Sequence, residues 1–213
     1  MKQHTIKATV RFSGIGLHTG QQATLNIQPA PINHGIQFQR IDLANQPKVK
    51  SDVNKVSATQ RCTTISTPQM SICTVEHLLS ALSALHIDNA LITIDADEIP
   101  ILDGSAQAFV TDLAAVGLEQ QEADREYFAL EDPIHFQHES GAEYIALPAD
   151  NLDLTTIVDF PSETIGQQVA TYTRDTNYAA SIAPCRTFVF LKEIKHLAEK
   201  GLVKGGDLNN AIV

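Results

Sequence analysis

Val75, Leu78, Leu79, Leu82 and Leu85 recur at helical spacing in a chain whose other apolar residues mostly alternate as strands do. Residues advance about 100° each around a helix, so these five form one stripe that must be buried against another layer. Strand-like segments on both sides supply that layer. Thr5 to Phe12 and Ala23 to Gln28 alternate about a Gly-rich turn at residues 13–20, and Pro29-Ala30-Pro31 ends the second of them. Gly35 to Arg40 reads as a short strand, and residues 42–60 as a polar loop followed by an edge strand. Thr74 is placed to cap the helix. Ala90 to Ile94 reads as a buried strand, and Ser105 to Val116 as a second amphipathic helix closed by Gly117.

The charged stretch Glu119 to Glu126 reads as a linker, after which Tyr127–Leu130, Glu143–Leu147 and Leu152–Asp159 resume as strands. Thr187 to Phe190 leads into a helix from about Leu191 to Lys200, ended by Gly201. The class expected is α+β, a two-domain sandwich of similar helix-on-sheet layers, with domains at 1–123 and 124–213. The chain stops on Ala211-Ile212-Val213 without a polar tail, so the second domain is expected to be incomplete.

Composition excludes several classes. The 213 residues carry 25 acidic and 15 basic side chains, a net charge of −10. That argues against nucleic-acid binding, which neutralises phosphates, and against a polybasic membrane patch. No apolar run approaches the ~20 residues of a membrane span, and the opening residues MKQHTIKATV lack the long apolar stretch of a secretory signal. Cys62, Cys73 and Cys185 are odd in number and form no CxxC, so reduced thiols in a cytoplasmic protein are expected.

Glu76 and His77 bracket the side of the helix opposite the leucines, beside small Ser80 and Ala84. A neutral imidazole is a good zinc ligand, and a carboxylate beside a metal-bound water can take its proton. On the dipeptide alone, a solvated helix face with two ordinary polar residues is the simpler reading. Three further segments change it: Gly16-Leu17-His18-Thr19-Gly20, Glu98-Ile99-Pro100-Ile101-Leu102-Asp103-Gly104-Ser105 and Cys185-Arg186-Thr187-Phe188.

In this order, with Thr74-Val75-Glu76-His77 between the first two, they resemble the UDP-3-O-acyl-N-acetylglucosamine deacetylase family. Its members are the zinc amidases of the committed step of lipid A synthesis in Gram-negative bacteria. The stretches 29–42 and 201–213 resemble its Bacteroidetes-type branch, where a hydroxyacyl-dehydratase domain is often fused downstream. The resemblance implies His77 as the first Zn2+ ligand and Glu76 as the general base. It implies Thr187 as the hydrogen-bond donor to the oxyanion, and Cys62 near the metal and substrate. His18 lies in a family motif without an assigned step. Residues about 191–213 resemble the family's inserted acyl-passage unit, which Phe188, Ile194, Val203, Leu208 and Ala211 would line, although burial in an ordinary core explains these residues equally well.

The family takes two further zinc ligands from a later His-Lys-x-x-Asp motif, and none of the eight histidines here is followed four residues later by Asp. The implied reaction is therefore N-acetyl hydrolysis of UDP-3-O-acyl-N-acetylglucosamine by a longer protein, at a site between the two domains. These 213 residues are expected to be inactive alone. The alternative is a non-catalytic sugar-nucleotide or acyl-chain binding module.

Overall fold

The computed structural model describes residues 1–213. By contacts the chain divides into two units, Met1–Arg125 with Tyr178–Val213, and Glu126–Asn177. Residues 178–213, expected to continue the domain begun at 124, thus pack with the opening part of the chain.

The larger unit opens with β1 (Lys2–Ile6), β2 (Val10–Ile15), β3 (Gln22–Pro29), β4 (Ile36–Arg40) and β5 (Lys48–Lys50). A small antiparallel sheet follows, β6 (Val56–Ala58), β7 (Thr64–Thr67) and β8 (Met70–Ile72). Then come α1 (Glu76–Ala84), β9 (Ala90–Ile94), α2 (Gln107–Val116) and β10 (Leu118–Asp124). The main sheet has the order β2-β3-β9-β4-β5, antiparallel except for the β4–β9 pair.

Alternation in β3 sends Ala23, Leu25 and Ile27 into the core and leaves its polar residues outside it. The apolar run predicted for Ala90–Ile94 is β9, the central strand. The leucine stripe is buried as its spacing required. Val75, Leu78, Ala81 and Leu82 are in the core, with Leu79 and Leu85 packed against it. Each fully buried Leu contributes on the order of 2 kcal/mol. α2 adds Phe109, Val110 and Leu113, and the Phe109 ring meets Phe12 edge-on at 4.8 Å. Gly117 closes α2 at φ 75, in the left-handed region that glycine favours.

Several sequence expectations are corrected. Thr5–Phe12 is not one strand: β1 and β2 are separate and pair with different partners. The supposed linker 119–126 is largely β10, paired antiparallel with β1 from Lys2↔Asp124 to Ile6↔Leu118. Its polar composition fits a two-stranded ribbon with no fully buried position, where Gln121 Nε2 donates to the Ala30 carbonyl at 2.9 Å. Residues 42–60 contain two short strands rather than a loop and one strand. Tyr127–Leu130 forms no strand, and Thr187–Phe190 makes only a single bridge, Phe188 to Ile212.

The smaller unit holds two antiparallel hairpins, β11 (Ile134–Gln137) with β12 (Glu143–Ala146), and β13 (Leu154–Asp159) with β14 (Gln167–Tyr172). Ile134, Phe136, Tyr144, Ile145, Ile157 and Val169 are exposed on them. The short α3 (Tyr178–Ser181) and the amphipathic α4 (Leu191–Glu199) belong to the larger unit. Several sheets and four helices make the class α+β. No helix is long and apolar enough to cross a membrane.

Candidate active site

The start of α1 is built differently from the expected cap. Thr74 sits at φ 59, and the residue before the helix, Val75, makes no side-chain cap bond. The Thr74 hydroxyl instead donates to Glu98 Oε1 at 2.8 Å. Glu76 Oε2 accepts the Thr63 amide at 3.0 Å, and the Val75 amide donates to the Thr63 carbonyl at 3.5 Å, so the Thr63 backbone holds this turn from both sides. Glu76, His77, Ser80 and Ala84 are half-buried rather than solvated. The Ser80 hydroxyl is hydrogen-bonded to the Tyr178 hydroxyl of α3.

Burial lowers the pKa of His77, and the charges of Glu76 and Asp103 oppose that shift. The ring is therefore neutral at neutral pH, the form in which a histidine nitrogen can bind a metal.

Glu98 is the polar centre of the region. It is 1% exposed. Its carboxylate accepts the His18 amide at 2.9 and 3.1 Å, the Thr19 amide at 2.7 Å and the Thr19 hydroxyl at 2.8 Å, besides the Thr74 hydroxyl. Five donated hydrogen bonds thus satisfy the oxygens of a side chain removed from solvent. A Cβ on Gly16 would lie 2.3 Å from Glu98 Oε2, so glycine is required where the 16–20 turn wraps the carboxylate.

The 103–105 turn links His77 to the returning chain. Asp103 acts on His77 by charge, the Thr187 amide donates to the Gly104 carbonyl at 2.7 Å, and Arg186 Nε donates to the Asp103 carbonyl at 2.6 Å. Gly104 has φ 85, and a Cβ there would lie 1.9 Å from the Asn210 carbonyl oxygen. His77 and Thr187 thus border the same short loop.

Thr187, Phe188, Ile194, Val203, Leu208 and Ala211 all line one cavity of about 180 Å³, with Leu17, His18 and Arg61 contributing to its wall. Glu76, His77 and Cys62 do not line it. Arg61 is ion-paired with Glu193 of α4 at 3.1 Å.

Cys62 lies among His18, Cys73 and Thr64. Its pKa falls to about 4, first because the Cys73 thiol donates to it and next because of His18, against the opposing effect of burial. The Cys73 thiol is pushed up by the same bond, by burial and by the charge of Glu98. His18 is raised, chiefly by Cys62, then by Glu98, against the cost of burial. Neither ring nitrogen of His18 makes a well-aligned hydrogen bond.

No group of three His, Cys, Asp or Glu side chains is arranged to hold a metal ion. The model of one protein family, LpxC: UDP-3-O-acyl N-acetylglycosamine deacetylase, matches residues 3–213. The chain belongs to this family. It is 44% identical over 214 residues to the bifunctional enzyme LpxC/FabZ of Bacteroides thetaiotaomicron, covering 100% of this chain and 46% of that protein. It is 42% identical over 212 residues to the UDP-3-O-acyl-N-acetylglucosamine deacetylase of Bdellovibrio bacteriovorus, covering 99% of this chain and 70% of that protein. The Thermosynechococcus vestitus deacetylase is also 42% identical, over 99% of this chain and 73% of its own length. The chain thus spans about half of the bifunctional relative and under three quarters of the other two.

Within this deacetylase-family chain, sequence reasoning left Glu98, Asp103, Arg61, Cys73 and Tyr178 without roles. Glu98 and Asp103 close the two ends of Ile99-Pro100-Ile101-Leu102, and a carboxylate at each end of an apolar run was the available signal. The contacts of Arg61 and Tyr178 join segments far apart in sequence, which a linear reading does not reveal.

Proposed function

We propose that the whole protein is a cytoplasmic, zinc-dependent deacetylase that hydrolyses the N-acetyl group of UDP-3-O-acyl-N-acetylglucosamine in lipid A biosynthesis. The observation that carries this reading is the family match over residues 3–213, in a chain that sets a neutral, half-buried His77 beside Glu76. Of the three protein ligands a catalytic zinc takes, His77 is the one these residues offer, and by themselves they do not make the site. Zinc in the whole protein would polarise the acetamide carbonyl and acidify a water.

The remaining roles fall to this chain's own groups. Glu76, fixed by the Thr63 amide, accepts the proton of the attacking water. Thr187, held to the Gly104 carbonyl, donates to the oxygen on which charge develops. The 3-O-acyl chain enters the cavity between Phe188, Ile194, Val203, Leu208 and Ala211. Cys62 acts on the substrate through His18, which it neighbours and which borders that cavity. The domain layout proposed is 1–123 and 124–213, with the acyl-passage unit in the second. A fused hydroxyacyl-dehydratase domain is proposed as well, because relatives at 44% and 39% identity are bifunctional LpxC/FabZ enzymes.

A second reading, a non-catalytic sugar-nucleotide or acyl-chain binding module, is favoured by one fact: the apolar cavity is formed within these residues and a metal group is not. Acetate release from the UDP-linked substrate, measured beside equilibrium binding of the same compound, separates the two. Turnover by the whole protein supports the deacetylase, and saturable binding without acetate supports the module.

A further inference from the structure

Arg61 stands in the loop between β6 and β7, and its Nη2 meets Glu193 Oε1 at 3.1 Å. Glu193 lies in the first turn of α4. Arg61 belongs to the cavity wall, and so do Ile194 and Leu197 of that helix. The ion pair therefore ties two parts of one wall that are far apart in sequence. Arg61 is held at φ 66, a left-handed backbone position that a residue with a side chain adopts only at a cost.

α4 is otherwise lightly seated. Leu197 is its one buried side chain, Ile194 is half-buried and Leu191 is exposed. A nine-residue helix with so little apolar burial depends on what fastens its ends. Beyond its C-terminus, the Lys204 and Gly205 amides donate to the His18 and Leu17 carbonyls at 3.2 and 3.1 Å. Gly201 at φ 74 and Val203 at φ 53 lie between that anchor and the helix. At the first turn, the fastening to the β6–β7 loop is the Arg61–Glu193 pair.

We propose that the Arg61–Glu193 pair sets the acyl-chain preference of the cavity, by holding the first turn of α4 against the β6–β7 loop so that the wall closes on a long 3-O-acyl chain. The substrate class in this inference rests on the deacetylase reading. A chain of a few carbons reaches little of the α4 wall and is indifferent to its position. A longer chain meets Ile194 and Leu197 and gains apolar burial only where that wall is closed. The pair makes no bond to the ligand. It keeps the closed wall populated, and affinity for the long chain scales with that population. Arg61 and Glu193 are thus positioning residues. Their side chains are 46% and 32% exposed, so the effect is the modest one of a partly solvated ion pair.

The test is equilibrium binding to the whole protein of UDP-glucose carrying either a 3-O-decanoyl or a 3-O-butyryl chain. Neither compound has an acetamide to hydrolyse. The readout is the ratio of the two affinities, which a change in nucleotide or sugar binding leaves alone. Arg61→Met and Glu193→Gln are each expected to lower the preference for decanoyl by about twofold to fivefold. The double variant should lower it no further than the larger single effect, because both substitutions remove the same contact. Arg61→Lys, which keeps the charge, should retain part of the preference. An unchanged ratio in either single variant would overturn the proposal. So would losses that add in the double variant, or an unsubstituted protein without preference for decanoyl. Acetate release from UDP-3-O-acyl-N-acetylglucosamine, assayed separately, judges the deacetylase reading. A pair-dependent preference without acetate release sustains the role of the pair and removes that reading.

Discussion

The Thr74 hydroxyl donates to the buried Glu98 carboxylate at 2.8 Å, and through that carboxylate the start of α1 is joined to the 16–20 turn. Replacing Glu98 by Ala strands the His18 and Thr19 donors, so a loss of about 3 kcal/mol or more in unfolding free energy is expected. Thr74→Val removes one donor and should cost about 1–2 kcal/mol. Urea unfolding of both variants checks this. A Glu98→Ala midpoint equal to that of the unsubstituted protein would contradict the stated role.

Gly205 seats the returning chain on the same turn. A Cβ there would lie 2.2 Å from the Gly16 carbonyl oxygen, and the Gly205 and Lys204 amides donate to the Leu17 and His18 carbonyls at 3.1 and 3.2 Å. Gly205→Ala should lift residues 201–206 and open one wall of the cavity. Losing two such bonds is worth about 2 kcal/mol, so native amide exchange there should quicken by about 30-fold. Unchanged protection would show that the segment is held by other contacts.

His77 and His18 should titrate on opposite sides of the ordinary histidine value. Burial lowers His77, so its neutral form is favoured in the folded state, and the stability tied to it is lost as pH falls from about 6.5 toward its folded midpoint. His18 is raised chiefly by Cys62, so its contribution is complete below about 6.5 and lost as pH rises through its folded midpoint. Imidazole NMR titration of metal-free protein reads both directly. Glu76→Gln removes a charge that holds His77 up and should lower its midpoint further, and an upward move would contradict the electrostatics described here.

Much of the first unit was legible because its elements are amphipathic on their own. The Val75–Leu85 stripe, the Ala90–Ile94 strand and the Gly117 stop each carry their signal within a few residues. β10 escapes a linear reading because a polar ribbon strand has little apolar alternation, and its partner β1 is far off in sequence, from Ile6 against Leu118 to Lys2 against Asp124. Thr74 was misread for a related reason: a threonine before a helix usually caps it, and only the fold brings Glu98 to its hydroxyl. At the candidate site the motif residues were legible by resemblance. The physical state of His77 and the His18–Cys62–Cys73 contact depend on packing that spacing does not encode.

These 213 residues, prepared alone, should neither hold zinc tightly nor release acetate, since His77 is a single ligand and no metal group is assembled around it. A zinc titration followed by desalting checks the first part, and an acetate assay the second. Stoichiometric retained zinc would mean that ligands other than those recognised here come together in solution.

The central claim is that Glu76 and His77 do different work in one hydrolytic site, and the whole protein tests it with two substitutions measured side by side for bound zinc and for acetate release. Glu76→Ala is predicted to keep zinc and to lose about 10²–10⁴ in turnover, while His77→Ala loses the zinc and the activity together. Full turnover in Glu76→Ala, or unchanged zinc and activity in His77→Ala, would contradict the assignment.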